Sequence, residues 1–411
     1  MTCKKLIFRF SAIKLVQCFF VSFFFTCYTL FLFENGLNKF EINLVNASYM
    51  FCVFLFEIPT GICADLYGRK LSIMIAYALE TVGHLVYGFS YSFPMFILAE
   101  LIIAVGHTFF SGAYDALVAD EIKEADDAPE NPDLFIKTAF YNTELFESFA
   151  KLIGGFCGGF IGLYSLRIGW FISSFGSVAA FALTMFLIPE NKIITMRKKE
   201  KAQSFWAEVK QGIKNQFVIS VKHGYKNKIV VMVAIIGCFW AFGLQALNMY
   251  WTKHFEDMGG RALVKESWLL IEGFICFGIL SVKRLKNFPD FERIILFCCL
   301  MGAGIFACLS SLKINLIAVI VLFSCHEIFR GIYSPIYKAY SNSHIPSEVR
   351  ATVLSFISMI GYFGNFLGLL ISGLIAEYYS INASWLFSGL VLILSAFLVV
   401  KLPNGILRKK A

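Results

Sequence analysis

Residues 57–70 read Glu57-Ile-Pro-Thr-Gly-Ile-Cys-Ala-Asp-Leu-Tyr-Gly-Arg-Lys70 and lie between two strongly apolar segments. The stretch combines an acidic residue, a proline, two glycines and a basic pair. Glycine permits tight turns and close approach of helices, and proline interrupts a helical hydrogen-bond ladder. The pattern is typical of a short connection between two membrane helices, with Pro59 in the last turn of the first helix.

The composition of the whole chain indicates a membrane protein. Of its 411 residues, 58% are hydrophobic and 16% are charged, whereas soluble domains average about 25% charged residues. Several apolar runs reach the roughly 20 residues that a helix needs to cross a bilayer. These runs lack the alternation of barrel strands, and only helices and closed barrels satisfy their backbone in hydrocarbon. The sequence therefore predicts an all-α membrane protein.

Hydropathy predicts about twelve membrane helices in two sets of six. The first six lie near 12–33, 40–60, 71–91, 93–117, 137–163 and 166–188, and the second six near 229–251, 266–282, 291–311, 314–338, 350–376 and 384–402. The polar stretch between the sets divides the chain into an N-terminal bundle (1–189), a linker (190–227) and a C-terminal bundle (228–411).

Basic residues predict the orientation. The net charge is +8, and the excess lies in loops on one side of the predicted spans, which is the topogenic pattern of membrane proteins and not of nucleic-acid binding. Lys14, Arg69 and Lys70 are counted on that side, so both termini are predicted to be cytoplasmic and the protein to lie in the cell membrane.

The linker shows a helical pattern of its own. Apolar residues recur at every fourth position, and lysines occupy other faces; the apolar positions are Phe205, Val209, Ile213, Phe217 and Val221. This pattern predicts an amphipathic helix on the inner leaflet. A plain solvated linker is the alternative.

No motif of a soluble enzyme is present. The twelve cysteines lie mostly in apolar runs, and no Cys-x-x-Cys spacing or Cys/His cluster indicates a metal site. A Walker loop and a nucleophile elbow are also absent from the sequence. We therefore expect neither an enzymatic activity nor a bound metal.

Six spans, a basic linker and six further spans resemble the major facilitator superfamily. The signature of that family after the second span, G-x-x-x-D-x-x-G-R-K, is matched by Gly61-Ile-Cys-Ala-Asp65-Leu-Tyr-Gly68-Arg69-Lys70. The resemblance, which extends to the drug/proton antiporter-like group, implies a secondary transporter in which two six-helix bundles rock around a central site. A proton gradient would drive transport, and no cofactor is expected.

The resemblance also implies that the signature latches the two bundles together in the outward-open state. Asp65 and Arg69 are four residues apart and can face each other on one helical turn, and an aspartate at the end of the fourth span joins them. The expected latch residues are Gly61, Asp65, Gly68, Arg69, Lys70, Asp120 and Arg350, with Asp115 as the substitute for Asp120. In the alternative, these charges only mark the membrane boundary.

Two further patterns bear on export: the first resembles an exporter-associated pattern of the family and supports export, and the second departs from the pattern of many proton-driven exporters. The fifth span contains a run of glycines from Gly154 to Gly162 that resembles G-x-x-x-G-P-x-x-G, but Gly159 stands where proline is expected. Small residues at this spacing favour close helix packing in any case. The fourth span carries Glu100 where many such exporters have an arginine.

Ionisable residues inside spans are costly and therefore indicate function. The candidates for proton or substrate binding are Glu57, Glu80, Glu100, His107, Glu144, Glu147, Lys151, His326, Glu327 and Arg330. Glu147 and Lys151, at i,i+4, are equally consistent with a structural ion pair, and Glu57 belongs either to the latch or to the proton path. By the resemblance, helices one, four, seven and ten line the cavity. This places four of the candidates within reach of substrate: Glu100, His107, His326 and Glu327.

The sequence is best interpreted as a transporter that exports a drug-like or other small organic compound in exchange for protons. Proton-coupled uptake of a metabolite, or export of a siderophore, is the alternative on the same fold. A membrane sensor that transports nothing is a third interpretation. The expected partners are a small-molecule substrate, protons and the lipid bilayer, without nucleic acid and with the chain as a monomer.

Overall fold

The computed structural model describes residues 2–127, 132–188, 210, 214, 227–285, 291–312, 314–345 and 350–402, and within these ranges it is helical without β-strands. The helices are α1 (Cys3–Val21), α2 (Tyr28–Glu34), α3 (Lys39–Tyr67), α4 (Arg69–Phe89), α5 (Phe93–Lys123), α6 (Pro132–Gly162), α7 (Ile168–Leu187), α8 (Lys228–Gly259), α9 (Ala262–Leu285), α10 (Phe291–Ser310), α11 (Leu316–Ser343), α12 (Arg350–Tyr378) and α13 (Ile381–Val399). A 3₁₀ turn, Ser22–Phe24, follows α1.

The structure confirms the all-α membrane fold. Eleven helical segments in the described ranges are long and apolar enough to cross a membrane, and the first of them, Cys3–Glu34, combines α1, the 3₁₀ turn and α2. The eighth predicted span corresponds to α9, a helix of 24 residues that is not among the eleven. The predicted amphipathic helix of the linker lies outside the described residues, apart from Lys210 and Lys214. The orientation of the termini stays a prediction.

The connection after the second span is shorter than predicted. Helix α3 continues to Tyr67, so Pro59 lies within it and the prediction of a last-turn proline is wrong. The missing N–H of Pro59 leaves the carbonyl of Leu55 without its helical partner, and the helix nevertheless continues for two further turns. Gly68 alone joins α3 to α4, with φ of 113°, a conformation that favours glycine.

The chain forms two compact units. The first contains Met1–Phe31 and Leu55–Ile213, and the second contains Leu32–Phe54 and Lys214–Ala411. The early half of α3 therefore packs with helices of the second half of the chain, although hydropathy groups it with the first six spans. Within the second unit, the Asn43 amide donates to the carbonyl of Leu369 at 2.8 Å and to the hydroxyl of Ser372 at 3.0 Å, both on α12.

Small and aromatic residues shape the interior of the first unit. A Cβ atom added at Gly158 on α6 would overlap the carbonyl of Phe23 in the 3₁₀ turn, so the glycine run provides the close packing expected of it. Nearby, the Trp170 ring stacks on Tyr87 with centroids 3.9 Å apart and on Phe24 at 4.4 Å. This aromatic stack joins α4, α7 and the 3₁₀ turn beside the buried polar groups of the unit.

Candidate functional site

The signature motif forms a charged cluster at the junction of α3 and α4. The Arg69 guanidinium contacts the Asp120 carboxylate at the end of α5, and it lies 3.7 Å from Asp65 on α3. Asp65 is 71% exposed and Asp120 is 40% exposed. The structure therefore brings the predicted i,i+4 pair and Asp120 together around one arginine.

Other members of the motif have separate roles. The Lys70 ammonium donates to the carbonyl of Ile188 at 2.7 Å and to that of Met185 at 3.1 Å, where α7 ends. A lysine at this place satisfies carbonyls that the helix leaves without partners. Gly61 faces open space. Helix α12 begins at Arg350, but the side chain of Arg350 lies outside what the structure describes.

Glu57 faces α5 from within α3. The hydroxyl of Ser111 donates to Glu57 Oε1 at 3.0 Å, and Oε2 is buried without a hydrogen-bond partner among the described residues. One turn on, the Thr60 hydroxyl has a single proton to share between the carbonyl of Thr108 on α5, 3.0 Å away, and that of Phe56 on its own helix, 2.8 Å away. Glu57 therefore belongs to the α3–α5 contact and does not join the Arg69 cluster.

Glu80 and His84 form a buried polar group on α4. The Gln17 amide of α1 donates to Glu80 Oε2 at 3.2 Å, and the Ser177 hydroxyl of α7 lies 3.5 Å from both Glu80 Oε2 and His84 Nδ1. The aromatic ring of Phe24 covers His84. This group is enclosed by α1, α4 and α7.

Glu100 accepts two tyrosine hydroxyls at the same oxygen. Tyr28 donates to Oε1 at 2.7 Å and Tyr87 at 2.6 Å, and the glutamate is 4% exposed. Tyr87 is fixed by its stack on Trp170. The arrangement holds the carboxyl group in one place between α2, α4 and α5.

His107 and the candidates on α6 lie elsewhere in the first unit. His107 is half-buried on α5, Glu144 is exposed, and Glu147 and Lys151 are half-buried on α6. The charges of Glu147 and Lys151 both reach Cys18 on α1. The Thr143 hydroxyl of α6 lies 3.1 Å from the Ser11 hydroxyl of α1, and Glu147 and Lys151 follow Thr143 at intervals of four residues along the same helix.

Lys14 is a functional candidate that sequence analysis missed. It lies well inside α1, because the helix begins at Cys3 and not near residue 12. Its ammonium lies 4.3 Å from the centroid of the Phe110 ring and 5.6 Å from that of Tyr114. The apolar run that starts at Leu6 was the signal that could have placed this lysine inside the span.

The second unit carries a charged site on α11. Arg330 Nη1 donates to Asn248 Oδ1 of α8 at 2.8 Å and to Glu327 Oε1 at 3.4 Å. His326 Nδ1 lies 2.8 Å from the carbonyl of Phe323 and 3.8 Å from Glu327 Oε1. His326 Nε2 and Glu327 Oε2 are buried without hydrogen-bond partners among the described residues. The structure therefore brings all three predicted residues of this helix together with Asn248.

An aromatic and amide wall continues from this site. Trp240 stacks on Tyr333 with ring centroids 3.8 Å apart, and Tyr333 stacks on Tyr337 at 5.2 Å. On the same helix as Trp240, the Gln245 amide donates to Asn365 of α12 at 2.6 Å. Such a surface offers apolar faces and a few fixed polar groups. In the described part of the chain, no group of three His, Cys, Asp or Glu residues is arranged to hold a metal ion.

Comparisons with known proteins identify the family. The uncharacterized MFS-type transporter YxaM of Bacillus subtilis is 24% identical over 400 residues, which cover 91% of this chain and 90% of that protein. Multidrug resistance protein 2 of Bacillus subtilis is 23% identical over 345 residues, which cover 81% of this chain and 79% of that protein. A crystal structure of the nucleoside transporter NupG, 15% identical, superposes with a TM-score of 0.74 over 97% of this chain and 98% of its own.

A family model described as Major Facilitator Superfamily matches residues 11–289 and 290–409. These residues include the signature around Asp65 and nearly all the described helices. The family consists of membrane transporters and not of enzymes. The chain therefore belongs to the Major Facilitator Superfamily and is a multi-pass membrane transporter.

Proposed function

We propose that this transporter is coupled to protons and exports a small organic compound across the cell membrane. The proposal rests on the buried carboxylate of Glu327. Its side chain is 3% exposed, Oε1 faces Arg330, and Oε2 has no hydrogen-bond partner among the described residues. A carboxylate at this depth in a membrane protein is a costly group that proton transfer would explain. Glu327 can bind a proton at Oε2 without losing a described hydrogen bond.

Arg330 connects Glu327 to the neighbouring helix α8. Its Nη1 contacts both Glu327 and Asn248, so the charge on Glu327 contributes to the position of the guanidinium. Neutralising Glu327 weakens one contact and leaves the bond to Asn248 in place. Protonation therefore loosens the Glu327–Arg330 contact within α11 and releases Arg330 from Glu327 while it stays bonded to α8; both helices line the transport path in this family.

The character of the walls supports an organic substrate. The Trp240, Tyr333 and Tyr337 rings form a continuous aromatic face, and Gln245 and Asn365 add amides. Similarity to Multidrug resistance protein 2 over 81% of the chain supports export. Uptake of a metabolite is the second candidate, because the fold is shared with the nucleoside transporter NupG.

The cluster around Arg69 serves as a conformational latch in this proposal. Asp120 keeps the arginine at the junction of α3 and α4, and the exposed Asp65 is left accessible. An accessible carboxylate can meet the positive N-terminal end of a helix in another conformation. Replacing Asp65 would then impair transport by alternating access more than it would destabilise the present conformation.

The test is transport by the purified protein in liposomes with an imposed pH gradient. A panel of labelled cationic, anionic and neutral amphipathic compounds, nucleosides and sugars is loaded on one side, and protein-free liposomes serve as controls. The proposal predicts that at least one amphipathic compound moves against its gradient while protons move the other way. Movement with the protons establishes uptake instead. No flux of any compound and no proton flux would contradict the proposal and favour a sensor.

A further inference from the structure

We propose that Lys14 binds the anionic group of the transported compound, so that the substrate is an organic anion with an apolar body, such as an aryl carboxylate. The inference rests on the proposed transport function and names its substrate class. Lys14 lies on α1 and faces Phe110 and Tyr114 on α5. Both helices belong to segments that are long and apolar enough to cross the membrane.

The aromatic surface under Lys14 is fixed. Phe110 and Tyr114 stack with ring centroids 4.9 Å apart, and the Tyr114 hydroxyl donates to the carbonyl of Phe10 at 2.8 Å. Phe10 in turn packs edge-on against Tyr114. The platform that holds the ammonium is therefore built by α1 and α5 without help from a ligand.

The ammonium lacks an anionic partner in this platform. Among the described residues, no carboxylate oxygen lies within the 4.0 Å limit of an ion pair with Lys14, and its three N–H donors make no hydrogen bond. Aromatic faces attract the charge but supply no acceptors for those donors. A cation inside a span is costly, and a ligand carboxylate would provide both the opposite charge and the acceptors.

Other charged groups act on Lys14 only at longer range. Lys14 interacts electrostatically with Glu80 on α4 and with His107 on α5. Lys14 and Glu147 of α6 both interact electrostatically with Cys18. The Glu80 carboxylate accepts a hydrogen bond from the Gln17 amide. The competing explanation is that Lys14 only balances Glu80 and Glu147 through space, and that explanation predicts no selectivity for anionic ligands.

The experiment measures ligand-induced thermal stabilisation of the full-length protein in nanodiscs. The probes are benzoate, phenylacetate and cinnamate, each compared with its neutral amide. Binding through Lys14 predicts that at least one carboxylate stabilises the wild-type protein more than its amide does. Lys14→Gln should weaken carboxylate binding by about tenfold to a hundredfold, the size of a charge-assisted hydrogen bond, and leave amide binding unchanged. Lys14→Arg should retain the preference.

Lys253→Gln is the matched control. Lys253 also lies over an aromatic ring, that of Phe33, but it is paired with Asp257 and Glu256. Its replacement should not alter the preference for carboxylates. A second measurement needs no variant: carboxylates should protect Lys14 from reductive methylation, detected by mass spectrometry, and the amides should not.

The outcomes separate this inference from the proposed function. Equal binding of carboxylates and amides, or carboxylate selectivity that persists in Lys14→Gln, overturns the role of Lys14. If Lys14→Gln does not fold, absence of protection from methylation by all three carboxylates overturns it equally. Lys14-dependent binding without any proton flux in liposomes would sustain the anion site and contradict proton coupling.

Discussion

Replacing Asp65 by Asn distinguishes a conformational role from a structural one. The Asp65 carboxylate is 71% exposed and lies 3.7 Å from Arg69, which the closer Asp120 also pairs. Exposed i,i+4 ion pairs contribute about 0.3–0.5 kcal/mol. Since Asp120 keeps Arg69 paired, Asp65→Asn should lower the free energy of unfolding by only about 0.3 kcal/mol.

A loss of that size shifts the melting temperature by about 1 °C, and as a barrier change it alters a rate by less than about twofold. A latch predicts much more, because Asp65 would then stabilise a conformation other than this one. We expect turnover to fall about tenfold or more, which corresponds to about 1.4 kcal/mol, with substrate affinity unchanged. The assay combines initial transport rates, equilibrium binding and melting temperature for the same preparation.

Asp257→Asn is the matched control, because Asp257 forms an i,i+4 pair with Lys253 and is 52% exposed. This substitution should lower the free energy of unfolding by a similarly small amount and leave the transport rate unchanged. The reasoning is refuted if Asp65→Asn transports at the wild-type rate, or if Asp257→Asn slows transport as much. A fall in melting temperature of about 5 °C or more would show that Asp65 is structural, and loss of binding alone would contradict the latch.

Two further predictions concern packing and pH. Gly158→Ala should lower the free energy of unfolding by about 1–3 kcal/mol, because its Cβ overlaps the Phe23 backbone, whereas Gly112→Ala meets open space and should not destabilise; thermal unfolding of both checks this. The Cys3 backbone N–H donates to Asp127 at 2.6 Å and holds the pKa of that carboxyl below its usual range. The stabilisation by ionised Asp127 is therefore present above the unfolded pKa of about 4 and is lost as pH falls through the lower folded pKa. The melting temperature of Asp127→Asn should lie below that of the wild type at pH near 7. In strong acid the two melting temperatures should become equal. A gap that persists unchanged in acid would contradict this.

Hydropathy and the signature motif were enough to predict the membrane fold. Long apolar runs leave the backbone no alternative to helix, and the motif around Asp65 predicted the family. Helix ends were less predictable, because polar residues such as Asp120 continue a helix beyond the apolar part of a span. The helix end at Pro59 was predicted wrongly for a related reason, because α3 continues through the proline to Tyr67.

The site was predictable by residue type but not by partner. Glu100 and Glu327 stand out as charges in apolar runs, yet Glu100 accepts from Tyr87 of another helix, and Arg330, the partner of Glu327, donates to Asn248 of α8. Hydropathy carries no information on which faces of two helices meet. Lys14 was counted with the cytoplasmic basic residues because the first span was predicted to begin near residue 12 and basic residues near a span end usually are topogenic; the start of α1 at Cys3 places it further inside the helix.

The most direct test of proton coupling compares Glu327→Gln with wild-type protein in liposomes. Substrate exchange without a gradient and movement driven by a pH gradient are measured for a compound that the wild type transports. We predict that Glu327→Gln retains exchange and loses gradient-driven movement, whereas Glu272→Gln, which removes another buried carboxylate of the second unit, keeps both. Full gradient-driven transport by Glu327→Gln would contradict the assignment of the proton to Glu327.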